Sequence, residues 1–175
     1  MPISKYRIDT HLFFTNGEMI KLKYEDLLEE SKASNVYVIE NADFKSSADG
    51  LINGNVIGIN RKIQSFCKRT CTLAEELGHY YTTVGNITGQ STVSDQKQEL
   101  RARIWAYNKL IGLNGIVNAY QHGCHSLHDT ADYLEVTEEF LLEALQYYRG
   151  KYGKYVTLDN YAIYFEPSLG VLELV

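Results

Sequence analysis

Cys71-Thr-Leu-Ala-Glu75-Glu76-Leu-Gly-His79-Tyr-Tyr81 is the stretch on which the reading of the chain turns. Leu73, Leu77, Tyr80 and Val84 follow one another at steps of four, three and four, the spacing of one helical face. Thr72 and Glu75 fall off that stripe, and Glu76 lies at its edge. A helix from about Ser65 to Val84 is expected, ended by Gly85-Asn86. A polar run, Asn86 to Gln96, leads to a second long helix at about 94–112, with Leu100, Ile104, Tyr107 and Ile111 as its stripe and Gly112 as its stop.

Working outward, Tyr24, Leu27, Leu28 and Ser31 predict a short helix at about 22–33, closed at Asn35. Val36–Ile39 reads as a strand, and Leu51-Ile52 and Val56–Ile59 flank Asn53-Gly54-Asn55, a turn that hairpins prefer. Beyond the second long helix, Ser126 to Leu134 and Thr137 to Tyr148 form two short helical blocks, the second opened by an N-cap threonine and acidic first-turn residues. Tyr161–Phe165 and Val171–Val175 have strand composition. Residues 1–20 show no clear period. The expected class is α+β: a small sheet on two antiparallel helices over 1–120, then a helical C-terminal lobe with a closing strand pair over 121–175.

A chain of 175 residues is the size of one domain, and its 45% hydrophobic and 22% charged residues exclude disorder, collagen and coiled coil. With 17 basic against 22 acidic residues the net charge is -5, and no Lys/Arg block interrupts the chain. This balance argues against nucleic-acid or anionic-membrane binding and leaves a protein as the expected partner. An odd count of three cysteines and an N-terminus without a signal-like start imply a reduced, cytoplasmic chain. Its apolar stretches fall far short of the ~20 residues of a spanning helix.

The chemistry lies in the Glu75/His79 spacing. Residues four apart on a helix share a face, which is how the HExxH pattern places two metal ligands together, with the intervening glutamate beside the metal-bound water. Here the pattern reads EExxH: Glu75 stands at the first ligand position, Glu76 at that of the general base, and His79 at the second ligand position. Glu99, 20 residues after His79, is the candidate third ligand. It shares a face with Ala102 and Ala106, small residues that allow close packing against the gap at Gly78. A glutamate pair on a helix is usually a solvated face, and Glu75 and His79 lie roughly opposite the Leu73/Leu77/Tyr80 stripe, so spacing alone does not establish a metal site.

The surroundings add to this. Cys71-Thr-Leu-Ala-Glu-Glu-Leu-Gly-His-Tyr-Tyr-Thr-Thr-Val-Gly-Asn-Ile87, followed by Lys97-Gln-Glu-Leu-Arg-Ala-Arg-Ile-Trp-Ala-Tyr107, resembles the ImmA/IrrE family of zinc-dependent endopeptidases of prophages and integrative elements. The likeness extends to Ala131–Leu141, which looks like that family's helical C-terminal part. The resemblance implies a zincin-like minimal metallopeptidase domain. It also implies Glu76 as catalytic base, His79 and Glu99 as zinc ligands, and a repressor protein as the substrate, cleaved to lift repression. Glu75 departs from the pattern, where a histidine is usual. A carboxylate can bind zinc at ~2.0–2.2 Å, but two carboxylates with one imidazole neutralise the metal, weaken its acidification of water and favour harder ions such as Mn²⁺. The alternative function is a degenerate member that binds the repressor without cutting it.

Other signals have plainer readings beside the functional ones. Cys67 and Cys71 are four apart but lack a second ligand pair, so buried thiols are expected. Tyr80, Tyr81, His122, His125 and His128 are candidate donors to an oxyanion. The blocks after Ser126 resemble a helix-turn-helix, but Asp129, Asp132, Glu135, Glu138, Glu139 and Glu143 give them the wrong sign for DNA. Val56–Asn60 is the expected edge strand for aligning a substrate.

Overall fold

The Asn53-Gly54-Asn55 turn folds back as its composition predicts, with Gly54 at φ 61°, and this hairpin organises the first half of the chain. The computed structural model describes residues 22–83 and 92–174. The first part contains α1 (Leu22–Ala33), β1 (Tyr37–Ala42), β2 (Gly50–Asn53), β3 (Val56–Asn60) and α2 (Phe66–Thr83). The second contains α3 (Thr92–Leu110), α4 (Gly112–Gln121), α5 (Leu127–Tyr133), α6 (Glu138–Tyr152), β4 (Tyr155–Leu158), β5 (Tyr161–Tyr164) and β6 (Gly170–Glu173). Most of the Asn86–Gln96 connection, and residues 1–20, lie outside the described residues. The result is a mixed α+β fold with two small sheets and a helical C-terminal lobe.

β2 pairs antiparallel with β3, and β1 pairs parallel on the other side of β3, so the order is β1-β3-β2. Val56–Asn60 is therefore the central strand and not the expected edge. Residues 57–60 are buried, as suits an apolar run with no polar alternation. The edges are β1 and β2. Ile57 and Ile59 pack with Leu73, Leu77 and Ala74 of α2, all fully enclosed.

α2 and α3 form the principal helix pair. The buried face of α3 is Ala102, Ala106, Tyr107 and Leu110, whereas Leu100, expected on the stripe, is 54% exposed. Close approach selects the small-residue side of the helix over the bulkier one. At Gly78 an added Cβ would lie 2.9 Å from the carbonyl carbon of Ala102 and closer still to its oxygen, so the two backbones touch here without side chains between them.

Gly112, at φ 56°, ends α3 as expected, but the chain re-enters a helix at once. This α4 is hidden in the sequence by Gly112, Asn114 and Gly115, poor helix formers. Burial of Ile116, Val117 and Ala119 outweighs their propensity. Ser126 caps α5 in a reciprocal capping box with Asp129, and the Thr137 hydroxyl accepts from Phe140 N at 3.2 Å to open α6. α6 runs on to Tyr152 before Gly153 stops it. A further strand, β4, joins the two expected ones in an antiparallel β4-β5-β6 sheet. Lys23 pins the helices together from α1, its ammonium donating to Leu110 O and Leu134 O at 2.8 Å each, at the C-terminal ends of α3 and α5. Burial pulls its pKa down to about 8.

Candidate active site

Because the α2 and α3 backbones touch at Gly78 and Ala102, the residues flanking the contact meet across it. His79 Nε2 lies 3.1 Å from Glu99 Oε2, the pairing that the two-helix reading anticipates. One turn along α3, Arg103 Nε donates to Glu99 Oε1 at 3.0 Å and faces Glu75 Oε1 at 4.0 Å. Its other arm, Nη1, donates to Glu143 Oε2 of α6 at 3.0 Å. The same Glu143 oxygen accepts from the Tyr107 hydroxyl at 2.8 Å. Four side chains from α2 and α3 and one from α6 thus meet at Arg103 or one contact away.

Glu76 takes a different direction. Its Oε1 lies 2.6 Å from where a Cβ on Gly50 would stand, so the carboxyl rests against the first residue of β2. Burial pushes its pKa up to about 7, helped by the neighbouring charges of Glu75 and Glu99. Glu75 is pushed up to about 6, chiefly by burial, with Arg103 and Lys68 opposing the shift and Glu99 and Glu143 adding to it. A carboxyl near 7 is half in its base form at neutral pH, the condition for a general base.

Glu75, His79 and Glu99 are of the right chemical types for a divalent ion: two carboxylates and an imidazole. As arranged they do not fit one. His79 and Glu99 bond to each other, Glu75 and Glu99 face a guanidinium, and among the described residues no three His, Cys, Asp or Glu side chains could hold a metal ion. The locus already contains a cation, Arg103.

The other sequence candidates are engaged elsewhere. Tyr80 donates to Ser34 O at 3.3 Å, and the Tyr81 hydroxyl bonds the Ser34 hydroxyl at 2.7 Å, at the end of α1. His122 packs on the Tyr133 ring, and His128 lies against Glu138 and Asp132. The backbone N–H of His125 points to Asp129 Oδ2 at 3.4 Å. Cys71 is a core residue whose thiol is pushed up to about 12 by burial, and Cys67 is half-buried; both are free. Sequence reasoning missed Arg103 and Glu143. The four-residue step from Glu99 to Arg103 was the available signal for the first. For Glu143, which arrives from a separate helix, there was none.

The fold and site define an α+β domain in which two crossing helices present a Glu-Glu-x-x-His face and a downstream glutamate beside the end of an edge strand. The chain belongs to the IrrE N-terminal-like domain family of peptidases, whose model matches residues 18–146. No curated protein and no solved structure matches it. Membership supports a peptidase-type, hydrolytic function of the metal-dependent kind, with a protein as substrate or partner.

Proposed function

We propose that this chain is a cytoplasmic metal-dependent endopeptidase that cleaves a repressor protein of a phage or mobile element and thereby lifts repression. The observation that supports it most is Glu76. Its carboxyl rests on Gly50 at the start of an edge strand, one turn from the His79–Glu99 pair, with its pKa raised to about 7. In this reading Glu76 takes the proton from the attacking water and returns it to the leaving amine. β2, free on its outer side among the described strands, aligns the substrate backbone by adding it as a further strand. His79, Glu99 and Glu75 are the side chains proposed to take the ion, zinc or manganese, and taking it requires an arrangement other than the one in which Arg103 faces Glu75 and Glu99. Neither nucleic acid nor membrane is a partner.

A second reading, an antirepressor that binds without cutting, is favoured by the guanidinium among the proposed ligands. Glu76→Gln separates the two. In co-expression with the proposed repressor substrate, the peptidase reading expects a repressor fragment with wild type and a loss of roughly 10²–10⁴-fold in its rate of formation with the variant. Equal relief of repression by both proteins, with no fragment from either, rejects cleavage and leaves sequestration.

A further inference from the structure

α6 presents two working faces. Phe140, Leu141, Ala144 and Tyr148 are buried in the core, whereas Leu142, Leu145, Gln146 and Arg149, at steps of three, one and three, form one side of a cleft in the C-terminal lobe. α4, α5 and the 165–171 segment supply the other walls, with Ile116 and Phe165 buried and Leu142 still 46% exposed. The cavity measures about 640 Å³. Small-ligand sites usually span about 300–1,000 Å³, are mostly apolar and hold a few polar groups that fix orientation. This cleft lies on a different face of α6 from Glu143, which reaches Arg103, so it stands apart from the candidate active site.

Charge singles out the occupant. The chain carries 22 acidic against 17 basic residues, yet none of the described residues that line the cleft is an aspartate or glutamate. Among the same residues Arg149 carries the permanent positive charge. Its Nη2 meets Glu166, which Lys154 also faces at 3.8 Å, so two cations share one carboxylate and a positive charge is left over at this end. The Ser126 hydroxyl and the His125 N–H, also on the lining, are taken up with Asp129 at the start of α5. An apolar trough with a guanidinium at one end selects a ligand of the matching build. We infer that the cleft binds a small amphipathic monocarboxylate, its aliphatic body along Leu142, Leu145 and Leu169 and its carboxylate on Arg149. A guanidinium has five N–H donors in a planar fork, so Arg149 can keep Glu166 and donate to a second carboxylate as well.

Decanoate is the probe, titrated calorimetrically into the full chain beside decanol and decyltrimethylammonium, with circular dichroism checking the fold of each variant. Wild type should bind decanoate about tenfold more tightly than decanol, the low end for a charge-assisted hydrogen bond. Arg149→Gln should erase that preference while still binding decanol, because only the head-group contact is lost. Leu142→Glu, at an exposed helical position, brings a carboxylate into the trough; it should abolish decanoate binding and favour decyltrimethylammonium. The inference is overturned if wild type binds decanoate no better than decanol, or if both variants bind it as wild type does. A wild-type dimer that Leu142→Glu dissociates in analytical ultracentrifugation assigns the cleft to a second copy of the chain and overturns it too. Should one variant lose its fold, the other alone decides, and unchanged decanoate binding there overturns the inference.

Discussion

Replacing Gly78 by alanine tests the helix contact on which the site depends. The new Cβ would stand 2.9 Å from the carbonyl carbon of Ala102 and 3.0 Å from its Cα, where ordinary contact begins at 3.4 Å. These are backbone atoms of a packed helix and cannot rotate away, so α2 and α3 must separate by roughly half an ångström or more. Overpacking of this kind costs about 1–3 kcal/mol, and the gain in helix propensity from glycine to alanine offsets about 0.5–1 kcal/mol of it. The steric term wins. The net loss is up to about 2.5 kcal/mol, and at about 2–4 °C per kcal/mol for a chain of this size Tm falls by up to roughly 10 °C. Gly150, in α6 with nothing within 4 Å of an added Cβ, is the internal control, since Gly150→Ala gains propensity without a clash and should raise Tm. Scanning calorimetry of the two variants beside wild type measures both signs. Should Gly78→Ala prove as stable as Gly150→Ala, the close crossing, and with it the placement of Glu99 beside His79, is wrong.

Three further expectations follow from single residues. Glu75→His restores the usual motif and takes one carboxylate away from Arg103, so zinc affinity and repressor cleavage should both rise; no change in either, by chelator competition and fragment assay, removes Glu75 from the site. Lys23 has a folded-state pKa near 8 against 10.5 for the free side chain, so between pH 8 and 10.5 the unfolded chain binds more protons than the native one and stability due to Lys23 increases with pH. Urea titrations should thus show the wild type gaining on Lys23→Met across that window, and a constant difference between pH 7 and pH 10 contradicts the burial of its charge. Cys71, buried and raised to about 12, should resist iodoacetamide at pH 8 in the native protein and react on unfolding, and rapid labelling of the folded chain at Cys71 by mass mapping would show the core to be open there.

Much of the arrangement can be read from residue order because it is local. The apolar steps along α2, the Asn-Gly-Asn turn and the threonine and serine caps each act within a few residues, and each element forms where its pattern falls. Even the His79–Glu99 meeting is foreshadowed, since Gly78, Ala102 and Ala106 advertise a close crossing before any partner is known. Apart from β4, which turns straight into β5, and Arg103, one helical turn from Glu99, the departures are non-local. Strand order depends on which side of β3 receives β1, and nothing in Val56–Asn60 encodes that. Leu100 loses its expected burial to a pair of alanines because the distance between two helices, not the hydrophobicity of one, decides the face. Glu143 meets Arg103 from forty residues away, and α4 forms against its own propensities because neighbours cover it.

Tyr148 carries the last consequence. It is fully buried, and its hydroxyl donates at 3.0 Å to the carbonyl of Tyr107, on the helix that also bears Glu99 and Arg103. The stretch shared with the peptidase family stops at residue 146, inside α6 and just short of this tyrosine. Modularity in sequence and modularity in matter therefore part company here. A fragment trimmed to the shared stretch would lose the phenol and cut α6 partway, leaving Glu143 on a frayed stub. The structural unit ends later than the stretch matched by the family, and a graft or truncation that respects the architecture must retain α6 through Gly153.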